Sequence, residues 1–243
     1  MGIEIEEKIN NIVNWTRKQV IEARKKGVIF GLSGGIDSAV IAVICKKAFP
    51  NTTTALILPC ESNPLDVKDA MKVIKKYGID YKNIDLTPIY QYFFSIMGSN
   101  EHKLANANIK PRLRMITLYY FANILEYLVV GTGNKSELQI GYFTKYGDGG
   151  VDILPLGNIL KSEVREIAKF LNIPQSIIDK VPSAGLWENQ TDEDEMGFTY
   201  AQLDQFLSTG KIEDDTLKNY IKNLNQKTAH KRKIPSIPDF NHQ

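Results

Sequence analysis

The sequence predicts an α/β protein in which a doubly wound, Rossmann-like parallel β-sheet carries helices on both faces. Short apolar runs alternate with amphipathic segments along residues 3–130, and this β-α-β-α order is typical of parallel sheets. Glycine-rich turns follow two of the apolar runs, at 31–35 and 131–133. No internal repeat, low-complexity segment or linker divides the sequence, so we expect a single domain over 1–243.

Hydrophobic periodicity predicts the individual elements. Ile5, Ile9, Ile12 and Val20 recur at helical spacing, which predicts an amphipathic N-terminal helix over 3–25. Continuous apolar runs predict buried strands, and amphipathic segments predict the helices between them. The elements predicted after the first helix are strand 28–32, helix 38–48, strand 54–58, helix 66–77, strand 82–85, a helix starting near Thr87, helix 109–125 and strand 127–130. Ligands should then bind over the carboxyl ends of the strands.

The turn after the first predicted strand reads Ser33-Gly34-Gly35-Ile36-Asp37-Ser38 and leads into a helix. Backbone N–H groups converge at a helix start, which carries about half a positive charge. Two glycines let the backbone approach a ligand closely, and two serine hydroxyls add donors. The turn lacks the Lys of a P-loop and the spacing of a dinucleotide fingerprint. It therefore predicts a site for an anion, and phosphate is the anion that suits it best.

Composition is typical of a globular protein, with 43% hydrophobic and 24% charged residues. A net charge of +2 gives no reason to expect nucleic-acid or membrane binding. Cys45 and Cys60 both lie in apolar surroundings, so a disulfide framework is not expected. Acidic residues near the start interrupt any signal peptide, and no apolar run approaches the ~20 residues of a membrane span. We expect a soluble, cytoplasmic protein.

A second glycine turn, Gly131-Thr132-Gly133, follows strand 127–130 and precedes Glu137. Because parallel strands end at a common edge, Glu137 is expected to reach the same crevice as Asp37. Two carboxylates suit Mg²⁺, which takes one or two protein oxygens and completes its octahedron with phosphates and waters. A solvated carboxylate that caps the following helix is the alternative interpretation of Glu137.

The segment Gly141-Tyr142-Phe143-Thr144-Lys145-Tyr146-Gly147-Asp148-Gly149-Gly150-Val151-Asp152 resembles a signature of the NAD synthetases. The turn Ser33–Ser38 resembles the loop of the N-type ATP pyrophosphatases, which split ATP between its α- and β-phosphates. Further matches, in family order, are Lys110-Pro111-Arg112-Leu113-Arg114-Met115, Pro155-Leu156 with Lys161, Val181-Pro182-Ser183-Ala184, residues 193–200 and His230-Lys231-Arg232. From these motifs, which span residues 33–232, the chain is identified as a member of the NAD synthetase family.

This resemblance implies the N-type ATP pyrophosphatase fold and the ATP-dependent amidation of deamido-NAD (nicotinate adenine dinucleotide), the last step of NAD biosynthesis. The nicotinate carboxylate would attack the α-phosphorus of ATP, pyrophosphate would leave, and ammonia would displace AMP from the acyl-adenylate. The chemistry is sound because a free carboxylate offers ammonia no good leaving group, whereas its adenylate offers AMP. The implied enzyme is a C–N ligase with ATP as co-substrate and Mg²⁺ as cofactor.

The resemblance also implies residue roles. Asp37 and Glu137 would hold Mg²⁺, and they would form the catalytic set with Lys161 and Asp152. The residues implied to bind ATP are Gly31, Ser33, Gly34, Gly35, Ile36, Asp37, Ser38, Thr132, Lys161 and Ser183. Those implied to bind deamido-NAD are Arg112, Lys145, Asp148, Asp152, Glu195, His230 and Lys231, and Asp148 and Asp152 would also serve an ammonia pocket. Asp152 as a turn cap and His230 as a surface residue are the alternatives.

The source of the amide nitrogen and the assembly also follow from the resemblance. Glutamine-dependent relatives carry an amidotransferase domain before the synthetase region, whereas here the loop begins at residue 33 after room for one helix. We therefore expect no glutaminase domain and the use of free ammonia. The family pattern implies a homodimer. Helices 3–25 and 109–125 are candidates for its interface, although both suit an intramolecular core equally well.

Two departures from the family pattern accompany the matches. Gly133-Asn134 stands where many members have Asp-His, and Leu58-Pro59-Cys60-Glu61-Ser62 differs from the commoner continuation after its strand. They affect the expected adenine or substrate-loop contacts rather than the reaction.

Two other functions compete with the amidation of deamido-NAD. Another N-type ATP pyrophosphatase, such as a GMP synthetase core or a tRNA lysidine or thiolation enzyme, would share the loop but would not explain Thr144–Asp148. A tRNA enzyme should also carry a stronger basic face. A nucleotide-binding protein without turnover would have little reason to keep Asp37, Glu137 and Lys161 together.

Overall fold

The structure is a computed structural model and describes residues 2–98, 101–187 and 190–238. The elements of the first half are α1 (Gly2–Glu22), β1 (Gly27–Gly31), α2 (Ile36–Ala48), β2 (Thr53–Ile57), α3 (Pro64–Tyr77), β3 (Asp80–Asn83), α4 (Thr87–Met97), α5 (Lys103–Ala107), α6 (Ile109–Leu125) and β4 (Tyr127–Val129). Those that follow are α7 (Lys135–Ile140), α8 (Lys161–Phe170), α9 (Gln175–Ile178), α10 (Asp192–Met196), α11 (Tyr200–Thr209) and α12 (Asp215–Lys227).

The four strands pair in parallel, in the order β3-β2-β1-β4. Val28 in the central strand β1 lies opposite Thr53 of β2 on one side and Leu128 of β4 on the other. The chain runs outward from β1 to β3 and then returns to place β4 on the free side of β1. The strand order therefore reverses between β1 and β4, and doubly wound sheets open a ligand crevice at such a point.

Side chains of the central strand alternate between two apolar clusters. Val28 and Phe30 pack into a cluster with α1, α2 and α8, whereas Ile29 packs with Tyr90 and Leu118 from α4 and α6. This period of two requires cover on both faces, because every second residue of a buried strand points to the opposite side. The prediction of a parallel sheet with helices on both faces is confirmed.

A third apolar cluster forms beside the sheet from the later helices. Ile140 of α7 packs with Met196, Phe198, Leu203 and Ile221. This packing brings α11 against α7 and α8. Residues far apart in the sequence thereby reach the edge of the sheet where β1 and β4 end.

The predicted elements of the first 130 residues differ from the structure only at their ends. Helix α1 stops at Glu22, earlier than the predicted 3–25, because Arg24 adopts a left-handed conformation with φ of 54°. The strand predicted at 82–85 is β3, whose residues are all exposed and offer no apolar pattern from which to locate it. Within the described ranges, no helix is both long enough and apolar enough to cross a membrane.

The turn after β1 depends on Gly34, and we predict that Gly34→Ala destabilises the fold. Gly34 has φ of +81°, and a Cβ atom there would lie 2.3 Å from the Asp66 carbonyl oxygen at the start of α3. Left-handed backbone and overpacking together are expected to lower the free energy of unfolding by about 2–5 kcal/mol, which urea denaturation measures.

Gly78→Ala is the matched control for this prediction. Gly78 has φ of +61° at the end of α3, and a Cβ atom there would meet nothing within 4 Å. Only the conformational cost of about 1–2 kcal/mol should then appear. Equal losses in the two variants would show that the contact with Asp66 does not constrain the turn.

Candidate active site

The crevice between the ends of β1 and β4 holds a lysine between two carboxylates. Lys161 Nζ lies 2.5 Å from Asp37 Oδ2 and 3.2 Å from Glu137 Oε1. The Lys161 side chain is 3% exposed, and each carboxylate side chain is 16% exposed. The carboxylate pair expected from the two strand ends thus faces one crevice, with a buried cation between its members.

Each of these three side chains comes from the first turn of a helix. Asp37 occupies the first turn of α2, Glu137 occupies the first turn of α7, and Lys161 is the first residue of α8. Helix N-termini favour carboxylates and disfavour cations. The two carboxylates are therefore well placed by their own helices, whereas the Lys161 ammonium depends on them.

Burial and charge act in opposite directions on this cluster. Burial raises the pKa of Glu137 to about 7, and the Asp37 charge adds to the shift while Lys161 opposes it. Burial by itself lowers the pKa of Lys161, but the carboxylates of Asp37 and Glu137 outweigh it and raise that pKa. Lys161 is consequently a permanent cation, and Glu137 is a carboxylate whose ionisation any added cation would favour.

Asn134 is fully buried and connects Asp37 with Glu137 through hydrogen bonds. Its Nδ2 atom donates to Asp37 Oδ1 at 2.9 Å, and its Oδ1 atom accepts the Glu137 N–H at 3.1 Å. Glu137 Oε2 in turn accepts the Asn134 N–H at 3.2 Å, which completes a capping box on α7. Glu137 therefore caps its helix with one oxygen and faces Lys161 with the other. An Asn followed three residues later by Glu is the sequence signal of this arrangement.

The glycine turn is held by its own serines. Ser38 Oγ donates to the Gly35 carbonyl at 2.9 Å and lies 3.1 Å from Ser33 Oγ, which accepts the Gly35 N–H at 3.2 Å. Gly31 ends β1 before this turn, and Ile36 begins α2 after it. The turn therefore holds its shape through its own hydrogen bonds, and the start of α2 directs its backbone to the crevice.

Two tyrosines, buried Tyr200 and half-buried Tyr142, extend the site toward α10. Tyr200 Oη donates to Asp192 Oδ2 at 2.9 Å and lies 3.4 Å from Glu137 Oε1. Tyr142 Oη lies 3.1 Å from Asp192 Oδ1 and 2.8 Å from Glu195 Oε2. Burial and the neighbouring carboxylates raise the pKa of both tyrosines, so both remain donors. Glu195 is thus connected to Glu137, and sequence analysis assigned no role to Asp192 or Tyr200.

The loop after α7 is fastened by Lys231. Its Nζ atom donates to the carbonyl oxygens of Gly141 at 2.7 Å and Phe143 at 2.8 Å. His230 lies beside it in the short 3₁₀ turn Ala229–Lys231 and is exposed. Lys231 therefore sets the path of the loop that carries the signature residues.

Three other residues expected to bind the dinucleotide meet on the same loop. Asp148 Oδ1 accepts the Thr144 N–H at 2.9 Å and closes a turn. Arg112 Nη2 lies 3.5 Å from the Lys145 carbonyl oxygen. Arg112, Lys145 and Lys231 are thus cations around one loop, which gives it the charge that a phosphate requires.

Asp152 lies apart from the Lys161 cluster, next to β4. Its Oδ2 atom accepts the Val129 N–H at 2.8 Å, and its Oδ1 atom accepts the Tyr119 hydroxyl at 2.9 Å. These contacts tie the end of the signature segment to β4 and α6. Asp152 is also exposed, so its carboxylate borders solvent.

Thr132 and Ser183 lie on two separate loops, the first after β4 and the second before α10. Thr132 is half-buried in the turn after β4. Ser183 is exposed, and its Oγ atom accepts the Gly185 N–H at 3.1 Å.

The segment that carries Ser183 is anchored by Lys110, which sequence analysis did not single out. Lys110 is 5% exposed, donates to the Leu186 carbonyl at 3.1 Å and pairs with Glu61 at 3.2 Å. It thereby joins α6 to two loops.

The donor set at Asp37 and Glu137 fits Mg²⁺. Two carboxylates already enclose a cation, the Lys161 ammonium. Mg²⁺ is commonly bound by one or two carboxylates, with substrate phosphates and waters as the other ligands. Among the residues that the structure describes, no group of three or more His, Cys, Asp or Glu side chains forms an all-protein metal cage.

Comparison with known proteins gives one consistent family. The sequence profile of the family described as NAD synthase matches residues 8–235. The NH(3)-dependent NAD(+) synthetase of Carboxydothermus hydrogenoformans is 51% identical over 242 residues, which cover 98% of this chain and 99% of that protein.

Two solved structures share the fold over nearly the whole chain. The NMN synthetase of Francisella tularensis has a TM-score of 0.93 and 42% identity, covering 97% of this chain and 99% of its own. The NH3-dependent NAD synthetase of Campylobacter jejuni has a TM-score of 0.82 and 32% identity, with the same coverage of 97% and 99%.

We predict that Asn134→Ala weakens MgATP binding as well as the fold. The substitution removes the α7 cap, which costs about 1 kcal/mol of unfolding free energy. It also removes a hydrogen bond to an ionised carboxylate worth about 1.5–3 kcal/mol, so Asp37 is less firmly held. Titration calorimetry with MgATP should show affinity reduced by about fivefold or more.

Asn63→Ala serves as the control because Asn63 is also a helix N-cap. Its side chain accepts only the Leu65 N–H, at 3.0 Å at the start of α3. This variant should lose the cap energy and retain MgATP affinity. If both variants bind MgATP equally, Asn134 acts on α7 alone.

Proposed function

The chain belongs to the NAD synthase family, and we propose that it catalyses the ATP-dependent amidation of deamido-NAD by ammonia, forming NAD, AMP and pyrophosphate. The observation that carries this proposal is the family match over residues 8–235, which encloses the cluster of Asp37, Glu137 and Lys161 in the crevice. The relative from Carboxydothermus hydrogenoformans, named for this ammonia-dependent reaction, supports the choice of nitrogen donor.

In the first step an oxygen of the nicotinate carboxylate attacks the α-phosphorus of ATP, and the bond to the β-phosphate oxygen breaks. The turn Ser33–Ser38 would hold the phosphates through backbone N–H groups and hydroxyls. Lys161 supplies a fixed positive charge for the leaving pyrophosphate. Asp37 and Glu137 would hold Mg²⁺, which when bound neutralises phosphate charge and eases departure of the leaving group.

In the second step ammonia attacks the carbonyl carbon of the adenylate, AMP leaves with the bonding electrons, and the nitrogen loses a proton. Side chains need form no covalent bond in either step, so positioning and charge compensation lower the barrier. Asp148 and Asp152 are our candidates for a carboxylate near the ammonia. The carboxylate of Asp152 has the more firmly fixed orientation, because the Val129 N–H and the Tyr119 hydroxyl each donate a hydrogen bond to one of its oxygens.

The dinucleotide phosphates are proposed to bind near Arg112, Lys145 and Lys231, whose charges surround the loop of residues 141–149. Glu195 would lie near the nicotinate end, where its link through Tyr142 gives it a fixed orientation. Thr132 and Ser183 are proposed to contact ATP, and His230 the dinucleotide.

A second acceptor has one specific observation in its favour. The structural neighbour with a TM-score of 0.93 is an NMN synthetase. The deamido form of NMN, nicotinate mononucleotide, carries the same carboxylate on a smaller molecule. Both acids must therefore be compared as acceptors.

The decisive experiment measures NAD or NMN, AMP and pyrophosphate with ATP, Mg²⁺ and one acceptor acid. The nitrogen source is either NH₄⁺ or glutamine. We expect NAD and AMP in equal amounts from deamido-NAD with NH₄⁺, and little product with glutamine. Asp37→Asn should keep the fold, although loss of the ion pair with Lys161 lowers its stability. It should lose this turnover, because an amide is a poor ligand for the cation that accompanies ATP.

Other products would change the assignment. If nicotinate mononucleotide is amidated faster than deamido-NAD, nicotinate mononucleotide is the substrate instead. ATP binding without AMP formation from either acid would contradict the enzyme itself, and full activity of Asp37→Asn would remove Asp37 from the proposed metal site.

We also propose a homodimer formed through α4 and α6. Ile116, Tyr120 and Ile124 follow one another at every fourth residue of α6, and they are 59%, 61% and 60% exposed. Neighbouring α4 exposes Ile89, Tyr92 and Ile96 by more than half. A second copy would cover this self-complementary apolar stripe. By contrast, the apolar face of α1 packs into the core through Ile9, Ile12, Val13 and Val20.

Ile124→Glu is predicted to convert the dimer into a monomer, because it places a charge within the apolar stripe. Ile21→Glu is the control, since Ile21 is 69% exposed on α1, away from that stripe. Sedimentation velocity should give the dimer mass for the wild type and the control, and half that mass for Ile124→Glu. A monomeric wild type, or dissociation by Ile21→Glu instead, would contradict the interface.

A further inference from the structure

Asp204 is a buried carboxylate next to the active site that neither the motifs nor the mechanism above uses. It lies on α11 and is 5% exposed. Its Oδ2 atom accepts the Ser162 N–H at 2.7 Å, and its Oδ1 atom accepts the hydroxyl of Ser136. A buried carboxylate persists only where hydrogen bonds compensate for lost water, and here both donors come from other helices.

These two donors belong to the helices that carry Glu137 and Lys161. Ser136 immediately precedes Glu137 in α7, and Ser162 immediately follows Lys161 in α8. Ser136 Oγ also accepts the Lys161 N–H at 3.0 Å. Asp204 and the Ser136 hydroxyl therefore form a continuous hydrogen-bonded bridge between the starts of α7 and α8.

The start of α8 has only half of a capping box of its own, in which Glu163 Oε2 accepts the Leu160 N–H at 2.8 Å. Its N-cap residue is Leu160, whose side chain cannot accept a hydrogen bond. The first N–H groups of a helix have no partner within the helix. At α8 the N–H groups of Lys161 and Ser162 find theirs in Ser136 and Asp204. The position of Lys161 is thus fixed by α7 and α11 rather than by its own loop.

We propose that Asp204 is a positioning residue of the adenylation step, setting the start of α8 so that Lys161 meets Glu137 and Asp37. Its negative charge also lies at the N-terminus of α8, where the helix dipole favours an anion. An amide in its place offers a single acceptor atom and turns an NH₂ group toward Ser162 N–H or the Ser136 hydroxyl. One donor is then unmatched, and the bridge loses a link.

The kinetic test compares Asp204→Asn with Asp214→Asn at a temperature well below unfolding. Asp214 is the N-cap of α12 and accepts the N–H groups of Thr216 at 2.8 Å and Leu217 at 3.2 Å, away from Lys161. Asp204→Asn is expected to lower kcat by about tenfold or more, since small displacements of reacting groups are costly. The KM values for the acceptor acid and ammonia should stay within about twofold. Asp214→Asn should match the wild type.

The kinetic test rests on the proposed function, so a second readout that needs no turnover is added. Acetic anhydride labels accessible amines, and mass spectrometry gives the rate at each lysine. Lys161 and Lys110 are both buried and ion-paired, at 3% and 5% exposure. In Asp204→Asn labelling of Lys161 should rise about threefold or more relative to Lys110. A general loosening of the fold would raise both rates together.

Ser136→Ala provides the second variant if Asp204→Asn does not fold. It removes the middle of the bridge and should give the same fall in kcat and the same rise in Lys161 labelling, with smaller amplitude. Normal kcat and normal labelling in the folded variants would overturn the positioning role. A wild type without synthetase activity, whose Lys161 labelling still responds to Asp204→Asn, would overturn the function and retain the bridge.

Discussion

The buried Lys161 ammonium is the constraint on which the crevice depends. It is nearly inaccessible to water and stands at the N-terminus of α8, and both circumstances disfavour a cation. Asp37 and Glu137 are its ion-pair partners, and the charge of Asp192 adds to their effect, so the starts of α2, α7 and α8 must converge within hydrogen-bond distance. Removing one member of a buried ion pair typically costs about 3–5 kcal/mol. The three helix starts are consequently held together by charge as well as by the apolar clusters behind them.

The sheet supplies the place where this convergence is possible. β1 and β4 are neighbours although about a hundred residues separate them, and the turns after them deliver Asp37 and Glu137 to one crevice. Two further residues, one uncharged and one on a helix outside the sheet, then fix the positions of the charged side chains. Asn134 holds both carboxylates from within the second turn, whereas Asp204 reaches the starts of α7 and α8 from a helix outside the sheet. The chemistry-bearing residues thus rest on a second layer of polar contacts.

The sequence alone predicts those site residues whose positions follow from the strand order. Apolar runs identify β1, β2 and β4, and parallel strands must end at one edge, so the approach of Asp37 and Glu137 is predictable. Lys161 came only from family resemblance, because nothing in the run 155–161 marks it as buried between carboxylates. No pattern in the sequence indicates the contacts of Asp204 with the active site, and Tyr200 enters only as the last residue of the family match 193–200. Both lie on an amphipathic helix whose docking depends on the third apolar cluster, and Ser136, Ser162 and Glu137, which they contact, are more than 40 residues away in sequence.

Charge balance explains why this crevice can accept a polyphosphate despite its two acids. Asp37 and Glu137 contribute two negative charges when ionised, and Lys161 returns one, so the cluster alone would repel ATP. Under the proposed function the nucleotide would therefore arrive with additional positive charge, and the two carboxylates would be the ligands that retain it. Burial is the main cause of the raised pKa of Glu137 in the protein alone, and the Asp37 charge adds to it against the opposing charge of Lys161. Under the proposed function, a bound cation would favour ionised Glu137 and would share the two carboxylates with Lys161, whose ammonium would then be available to the departing pyrophosphate.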